Sequence, residues 1–458
     1  MLAETFLEIL DDWRPAFPQQ RTHLRAARQA VGSLVALGRR TVTRILWCLG
    51  REQHDWTAEY RLFSQSPWRT QDLFAPVLKR ALPWCAEDHV EVAFDNTSRG
   101  KTGRKITDVS WMKHPLSPPF WINLRFGLRF LQGSLLVPLY RQHDAAPRAL
   151  PISFEEVATV KKPKRGASEE TKMAYAEAKK EHNLSQAFLR MLGRCRQELD
   201  RLGAKARVQV AVVDGSFCNG PVFRNDVERS VIVARGRKDA KLCHPEPAGS
   251  RRTYGQKKFT PEEVRKDPKI PWRETRIFHG NAWRAVRYKE IKPVLWQRAS
   301  GPRPIRLFVV APIPYRTTAA GKIYYRRPAF LLSTDVEMPA DVLLQAYFDR
   351  WQIEVNFREE KTDLGLGQAQ VRTPRSVQRQ PALVVASYSA LLLAGLLAFG
   401  PHRSDAYLPL PKWRRNAKRP SCLDLITLLR KELTDKPTLL QRFQVAPTTA
   451  KMVTAAAA

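Results

Sequence analysis

Two short runs constrain the fold of this chain more than anything else: VEVAFD at 90–95 and RVQVAVVD at 207–214. Both have strand length, and the second is nearly continuous in apolar residues, the pattern of a strand covered on both faces. Each ends on an aspartate, Asp95 and Asp214. Two more strand-like stretches, FWINLRFGLRF and LLVPLY, lie within 120–140, and a third at 231–233. Between them, 168–202 is rich in helix formers and predicts one long helix. Strands, then a helix, then strands predict an α/β sheet domain. The carboxyl ends of strands in such sheets are common positions for functional side chains, which singles out both aspartates.

The charge balance points to a partner. Against 77 Lys+Arg stand 44 Asp+Glu, a formal net charge of +33. Such an excess repels itself in a compact chain unless a polyanion neutralises it, and nucleic acid leads over an anionic membrane. Hydrophobic residues at 43% exclude wholesale disorder. The six cysteines form no C-x-x-C pair, so reduced thiols are expected rather than a disulfide framework or a zinc ribbon. No secretory signal pattern opens the chain. The uncharged run at 382–399, ALVVASYSALLLAGLLAF, is long enough to pass for a membrane span; its serines and alanines predict a buried core helix, and no membrane is expected. No G-x-x-x-x-G-K-[ST] or G-x-S-x-G occurs, so neither ATP hydrolysis nor a serine nucleophile is supported.

Five segments follow from composition. Residues 1–85 read as a helical DNA-binding domain, with seven Arg and no acid between Trp13 and Gly50. Gly38 separates two helices in the manner of a helix-turn-helix, with Arg39, Arg40, Thr41, Thr43 and Arg44 opening the second; Arg21, Arg25 and Arg28 share a face of the first. Residues 86–239 and 333–400 are expected to form the two parts of a catalytic core. Between them, 240–332 is a β-rich insertion: from Lys269 to Arg327 there are 14 Lys+Arg and two acids, interleaved with Trp272, Trp283 and Trp296. That mix suits a nucleic-acid surface. Residues 401–458 hold a basic linker, a last helix LDLITLLRKEL and a tail, MVTAAAA, expected to be disordered.

The predicted helix over 340–362 carries the most informative pattern. At about 100° per residue, Tyr347, Arg350, Glu354 and Lys361 fall within about 60° of one another. A carboxylate beside a phenol, a guanidinium and an ammonium can hold a divalent ion and grip a phosphate. Glu359 and Glu360 point away from that stripe. Two strand-end aspartates and one helical glutamate can converge on two metal ions, with Asp108 and Asp226 as alternative acids.

The stretch YFDRWQIEVNFREEK spells Tyr-(2)-Arg-(3)-Glu-(6)-Lys. It resembles the YREK signature of a group of cut-and-paste DDE transposases from bacterial insertion sequences. FDNT at 94–97 resembles that group's first Asp motif, and VVDGSF at 212–217 its second. The resemblance covers about 85–400. It implies an RNase H-like catalytic domain with a β-rich insertion, beside an all-α N-terminal DNA-binding domain and a helical C-terminal region. It implies Asp95, Asp214 and Glu354 as the catalytic, metal-binding triad for two Mg2+, with Mn2+ able to substitute. Tyr347, Arg350 and Lys361 would hold a DNA phosphate, and Trp283 or Trp296 would stack a flipped base. The activity implied is cutting of terminal inverted repeats, through a hairpin, and joining of the 3′-OH to target DNA. The expected setting is a homodimer on double-stranded DNA in the bacterial cytoplasm, at the nucleoid. A transposase-derived regulator that binds DNA without cutting is the alternative.

Overall fold

In a computed structural model of the chain, the described residues are 1–445 without 107, 115, 116, 119, 319, 415 and 416. The tail expected to be disordered lies outside them. The chain opens with α1 (Leu2–Asp11), α2 (Gln20–Val35), α3 (Val42–Cys48), α4 (Thr57–Ser64) and α5 (Ala75–Ala81). Gly38 does break α2 from α3, at a φ of +72° that a Cβ would strain. Thr41 then caps α3, its side chain accepting from the Arg44 amide at 3.2 Å.

The next part runs β1 (His89–Gly100), β2 (Ser110–Lys113), β3 (Leu124–Val137), α6 (Tyr140–His143), β4 (Arg148–Glu156), α7 (Glu169–Glu181), α8 (Leu184–Arg201), β5 (Val208–Val213), α9 (Gly220–Arg224) and β6 (Ser230–Arg235). The two strands expected within 120–140 are a single strand, β3. Its Gly133-Ser134 pair is a bulge against β4, not a turn. A Cβ on Gly133 would sit 2.9 Å from the Phe94 ring, so glycine serves close packing there. The helix expected over 168–202 is two: Asn183 stops α7 and caps α8 by accepting from the Gln186 amide.

Then come β7 (Leu242–Pro245), β8 (Tyr254–Phe259), α10 (Pro261–Lys266), β9 (Arg273–His279), β10 (Ala282–Val294), β11 (Ile305–Val310), β12 (Pro314–Arg316), β13 (Ile323–Tyr325) and β14 (Ala329–Ser333). The chain closes with α11 (Ala340–Asp349), α12 (Gln352–Thr362), α13 (Pro374–Phe399) and α14 (Cys422–Asp435). The main sheet has the order β2-β3-β1-β5-β6-β14-β11-β10-β9, with β4 also on β3. β1, β5 and β6 are mutually parallel, and β3 runs antiparallel to β1. This mixed α/β sheet is consistent with an RNase H-like domain. The β-rich segment is therefore not a sheet apart: β9, β10 and β11 extend the same sheet through β14.

Strand alternation sends Val90, Val92 and Phe94 to one face, where Phe94 meets Phe188 of α8 edge-on at 5.2 Å. Ala93 and Asp95 face the other way, and Ala93 packs with Ile353 and Phe357 of α12. On that same face Leu343, Leu344 and Ala346 of α11 cluster with Val210 and Val212 of β5 and Val286 and Phe308 of the extension. α13 is the expected core helix: 83% of its most apolar window is buried inside the protein. α1, α2 and α14 pack against it, and the N-terminal helices share one hydrophobic cluster with the sheet. Burial changes one expectation: Arg28 turns inward to pair with Glu59 at 2.8 Å, both nearly without solvent contact, so it leaves the surface stripe of Arg21 and Arg25.

Asn356 fixes α12 in place. Its Oδ1 accepts from Ser134 Oγ at 3.0 Å, and its Nδ2 donates to the Ala149 carbonyl at 3.1 Å and to Tyr388 Oη at 3.0 Å. Tyr388 donates in turn to Glu359 at 2.5 Å. One buried amide thus ties α12 to β3, β4 and α13. Tyr388→Phe should cost about 1–3 kcal/mol, the desolvation penalty of the acceptor left behind, and Asn356→Leu more, since it orphans three partners. Urea unfolding of the two variants checks both the loss and its order.

Candidate active site

Parallel pairing brings the two aspartates together. The β1–β5 register ends at Phe94 opposite Val213, so Asp95 and Asp214 are next neighbours where the parallel pairing of the two strands ends. Asp95 is still within β1, held opposite Gln132 of β3. Its Oδ1 accepts from the Asn96 amide at 2.7 Å. Asp214 leaves the sheet and starts a tight turn, its Oδ1 accepting from the Ser216 amide at 2.9 Å and from Ser216 Oγ at 2.5 Å. Of the alternative acids, Asp226 pairs with Arg303 on the surface, and Asp108 sits in a left-handed turn.

The third acid arrives on a broken helix. The continuous helix expected over 340–362 is α11 and α12, joined at Arg350 and Trp351. Both residues keep helical dihedrals, but the hydrogen bonds tighten: the Ile353 amide reaches the Arg350 carbonyl and the Glu354 amide the Trp351 carbonyl. Glu354 thus lies in the first turn of α12, one turn beyond Arg350. Arg350 Nη1 is 3.7 Å from Asp95 Oδ2, and Nη2 is 3.5 Å from Glu354 Oε1. One guanidinium therefore bridges the strand acid and the helix acid. Tyr347 stacks beside it, its ring centre 6.0 Å from the guanidinium carbon.

Electrostatics mark the place. Burial, then the Asp214 charge, raise the Asp95 carboxyl to about 7, with Glu354 adding to the rise; the Asn96 amide and Arg350 oppose it. Lys361 lies at the other end of α12. Burial and the nearby Arg99 and Arg125 lower its ammonium to about 8, against Glu360 and Asp95. Arg99 is itself buried, lowered to about 10, and its Nε and Nη2 find no acceptor.

The structure thus gathers Asp95, Asp214, Glu354, Arg350 and Lys361 at one pole of the sheet, with Tyr347 alongside. It does not close the acids around an ion: among the described residues no three His, Cys, Asp or Glu side chains form such a group. Like charges separate, and Arg350 stands between two of the three. The donor set still fits a divalent ion: all three are hard oxygen ligands, and Asp95 is short of positive charge.

Other expected residues lie elsewhere. Arg40 donates to the Ser33 and Gly38 carbonyls, and its amide donates to Gln368; Arg44 stacks on Trp47 at 4.2 Å. Arg39 and Thr43 are exposed. Trp296 is half-buried against Phe223. Trp283 keeps 39% exposure, held edge-on to Tyr140 and Phe278 with Arg276 nearby. Glu359 and Glu360 are buried, as their angle on the helix requires.

Three residues escaped sequence reasoning. Arg99 shares the face of Asp95 by strand alternation, so period two alone could have found it. Arg125 could not be found, because its place depends on the β1–β3 register. Trp351, 57% exposed between Arg350 and Glu354, lay inside the motif itself. The insertion matters here too: Gln345 of α11 exchanges hydrogen bonds with the Phe278 backbone of β9 and donates to Asp349, the residue before Arg350.

A search among curated proteins returns no match. Among known families, that described as the DDE superfamily endonuclease matches residues 14–303, nearly two thirds of the chain, spanning Asp95 and Asp214 and ending before Glu354. With two aspartates on adjacent parallel strands and Arg350 bridging one of them to a helical glutamate, this chain belongs to the DDE superfamily endonucleases.

Proposed function

We propose that the chain is a DNA transposase of an insertion sequence, carrying the YREK arrangement, that cuts the element's terminal inverted repeats and joins the freed 3′-OH to target DNA. The observation that carries this reading is the convergence of Asp214, Glu354 and Arg350 about Asp95. Asp95, Asp214 and Glu354 would hold the divalent ions. Bound there, Mg2+ or Mn2+ supplies Lewis acidity for in-line displacement at phosphorus. Arg350, released from the acids, turns its planar fork to a backbone phosphate, and Lys361 adds a point charge. Tyr347 limits the rotamers of Arg350. Exposed Trp351 offers a stacking face beside the phosphate. Hairpin formation at the cut end, and a homodimer that pairs two ends, belong to the same proposal.

Purified protein with Mg2+ should nick DNA carrying the terminal repeat, and Asp95→Asn, Asp214→Asn and Glu354→Gln should each cut at least about 100-fold more slowly, since even outer-shell partners of metal ligands cost about 10–100-fold. Binding to the same DNA should persist in all three and should weaken steeply with added salt. Wild-type protein that binds the repeat and never nicks it would instead establish the silent regulator.

Proton linkage gives a second test. Without an ion, Asp95 titrates near 7, so below that pH it is protonated and a poor ligand. Mn2+ affinity, followed by electron paramagnetic resonance, should rise about tenfold between pH 6 and pH 8, and Asp95→Asn should flatten the rise. An affinity independent of pH in the wild type would contradict this role for Asp95.

A further inference from the structure

Beyond Asp95 the sheet continues into a hairpin that the chemistry above does not use. β1 runs on from Asp95 to Gly100, paired through Gly100 opposite Gly127 of β3, and β2 pairs with the start of β3. That carries the hairpin roughly 17 Å past the Asp95–Gln132 pair before its tip begins. Two backbone hydrogen bonds join described residues of the tip: the His114 amide donates to the Asn123 carbonyl at 2.8 Å, and the Trp121 amide to the Pro118 carbonyl at 3.2 Å. Ser117 Oγ closes the loop, donating to the His114 carbonyl at 2.8 Å and accepting from the Asn123 amide at 3.1 Å.

What this framework presents is apolar. Phe120 is 89% exposed, Trp121 65%, Ile122 63%, and Leu124 59%. Trp111 packs one ring face on its cross-strand partner Phe126 and leaves the rest open, 66% exposed. Five large apolar side chains left exposed between residues 111 and 124 mark an interaction site. Its surroundings set the partner's charge. Between residues 96 and 130 there are seven Lys+Arg and one acid, Asp108. Arg125, opposite Met112 and one step from the Lys113–Leu124 pair that closes the tip, lies near Lys361, which in turn feels Asp95. The apolar tip is therefore flanked by cations that border the acid cluster. A second copy of this net-basic chain would be repelled by those cations, whereas a polyanion with apolar faces fits both parts.

We propose that the β2–β3 hairpin is a wedge for DNA: Arg125 and Lys361 hold a backbone phosphate while Phe120, Trp121 and Ile122 enter the stack and hold the strands of the duplex end apart. Apolar side chains unstack base steps in this way, and the exposed face of a base is matched by an aromatic ring. The proposal rests on the DNA-cutting reading and adds to it a site for a splayed duplex end.

The test uses the full chain and two short DNAs of equal charge, one fully paired and one with its last base pairs mismatched so that the end is splayed. Wild type should bind the splayed DNA at least about fivefold more tightly, the range that stacking of one or two bases supplies. The variant Phe120→Ser, Trp121→Ser, Ile122→Ser should lose that preference, yet bind paired DNA as wild type does and with the same salt slope. These side chains are exposed, so the variant should keep the wild-type unfolding midpoint. Equal binding of both DNAs by wild type overturns the wedge and leaves the DNA reading intact. Failure to bind either at low salt overturns both. A variant that keeps the preference but loses self-association in sedimentation assigns the patch to a second copy of the chain and overturns the wedge.

Discussion

Carboxylates forced together without enough positive charge are the constraint on which this site depends. The β1–β5 register fixes Asp95 beside Asp214, and neither strand can slip without moving Val90, Val92 and Phe94 out of the core. With its carboxyl raised from 3.8 to about 7, ionised Asp95 costs the folded chain roughly 4 kcal/mol relative to an exposed aspartate. The sign follows from linkage: the cost is absent below the unfolded value and grows as pH rises to about 7, so stability falls over that range. A hydrophobic replacement would remove the cost and stabilise the fold. Retaining the acid makes sense where a cation is to be drawn in.

Such a cluster needs a rigid mount, since a carboxylate free to swing away would relieve the repulsion. α12 has one. Ile353 and Phe357 pack on Ala93 and Leu136, and the Asn356–Tyr388–Glu359 chain binds the helix to its surroundings. α11 is held on the same face, against β5 and the strands of the extension. The two helices meet at Arg350, so its guanidinium is aimed by two anchored segments and not by a loop.

Much of this was legible in the sequence, and the reasons are local. RVQVAVVD gave β5 almost to the residue, because a fully buried strand has few alternatives. The helical stripe of Tyr347, Arg350 and Glu354 survived the break because three and four residues still span one turn. What failed was long-range. LLVPLY looked like a separate strand because nothing nearby reveals that Phe94 needs a glycine opposite it. Arg28 looked like a surface cation because its partner Glu59 lies on another helix, 31 residues away. That β9, β10 and β11 of the insertion join the main sheet was not legible, because composition says nothing of which sheet a strand joins.

The cations complete the argument. A net charge of +33 is spread over the chain, yet around the acids it is arranged in two ways. Arg350 forms ion pairs with Asp95 and Glu354 and neutralises them in part. Arg99, Arg125 and Lys361 instead stand near one another, and burial, with Arg99 and Arg125 adding to it, lowers the ammonium of Lys361 to about 8. Glu360, buried and itself raised to about 7, offsets only part of that excess. Acids short of positive charge and bases short of negative charge thus stand side by side. A divalent ion alone would relieve the first group and worsen the second. A phosphate alone would do the reverse. Both tensions relax together when a phosphodiester and its ions arrive as one unit, and that coupling is a physical reason for the site to favour the DNA backbone with metal over either component alone.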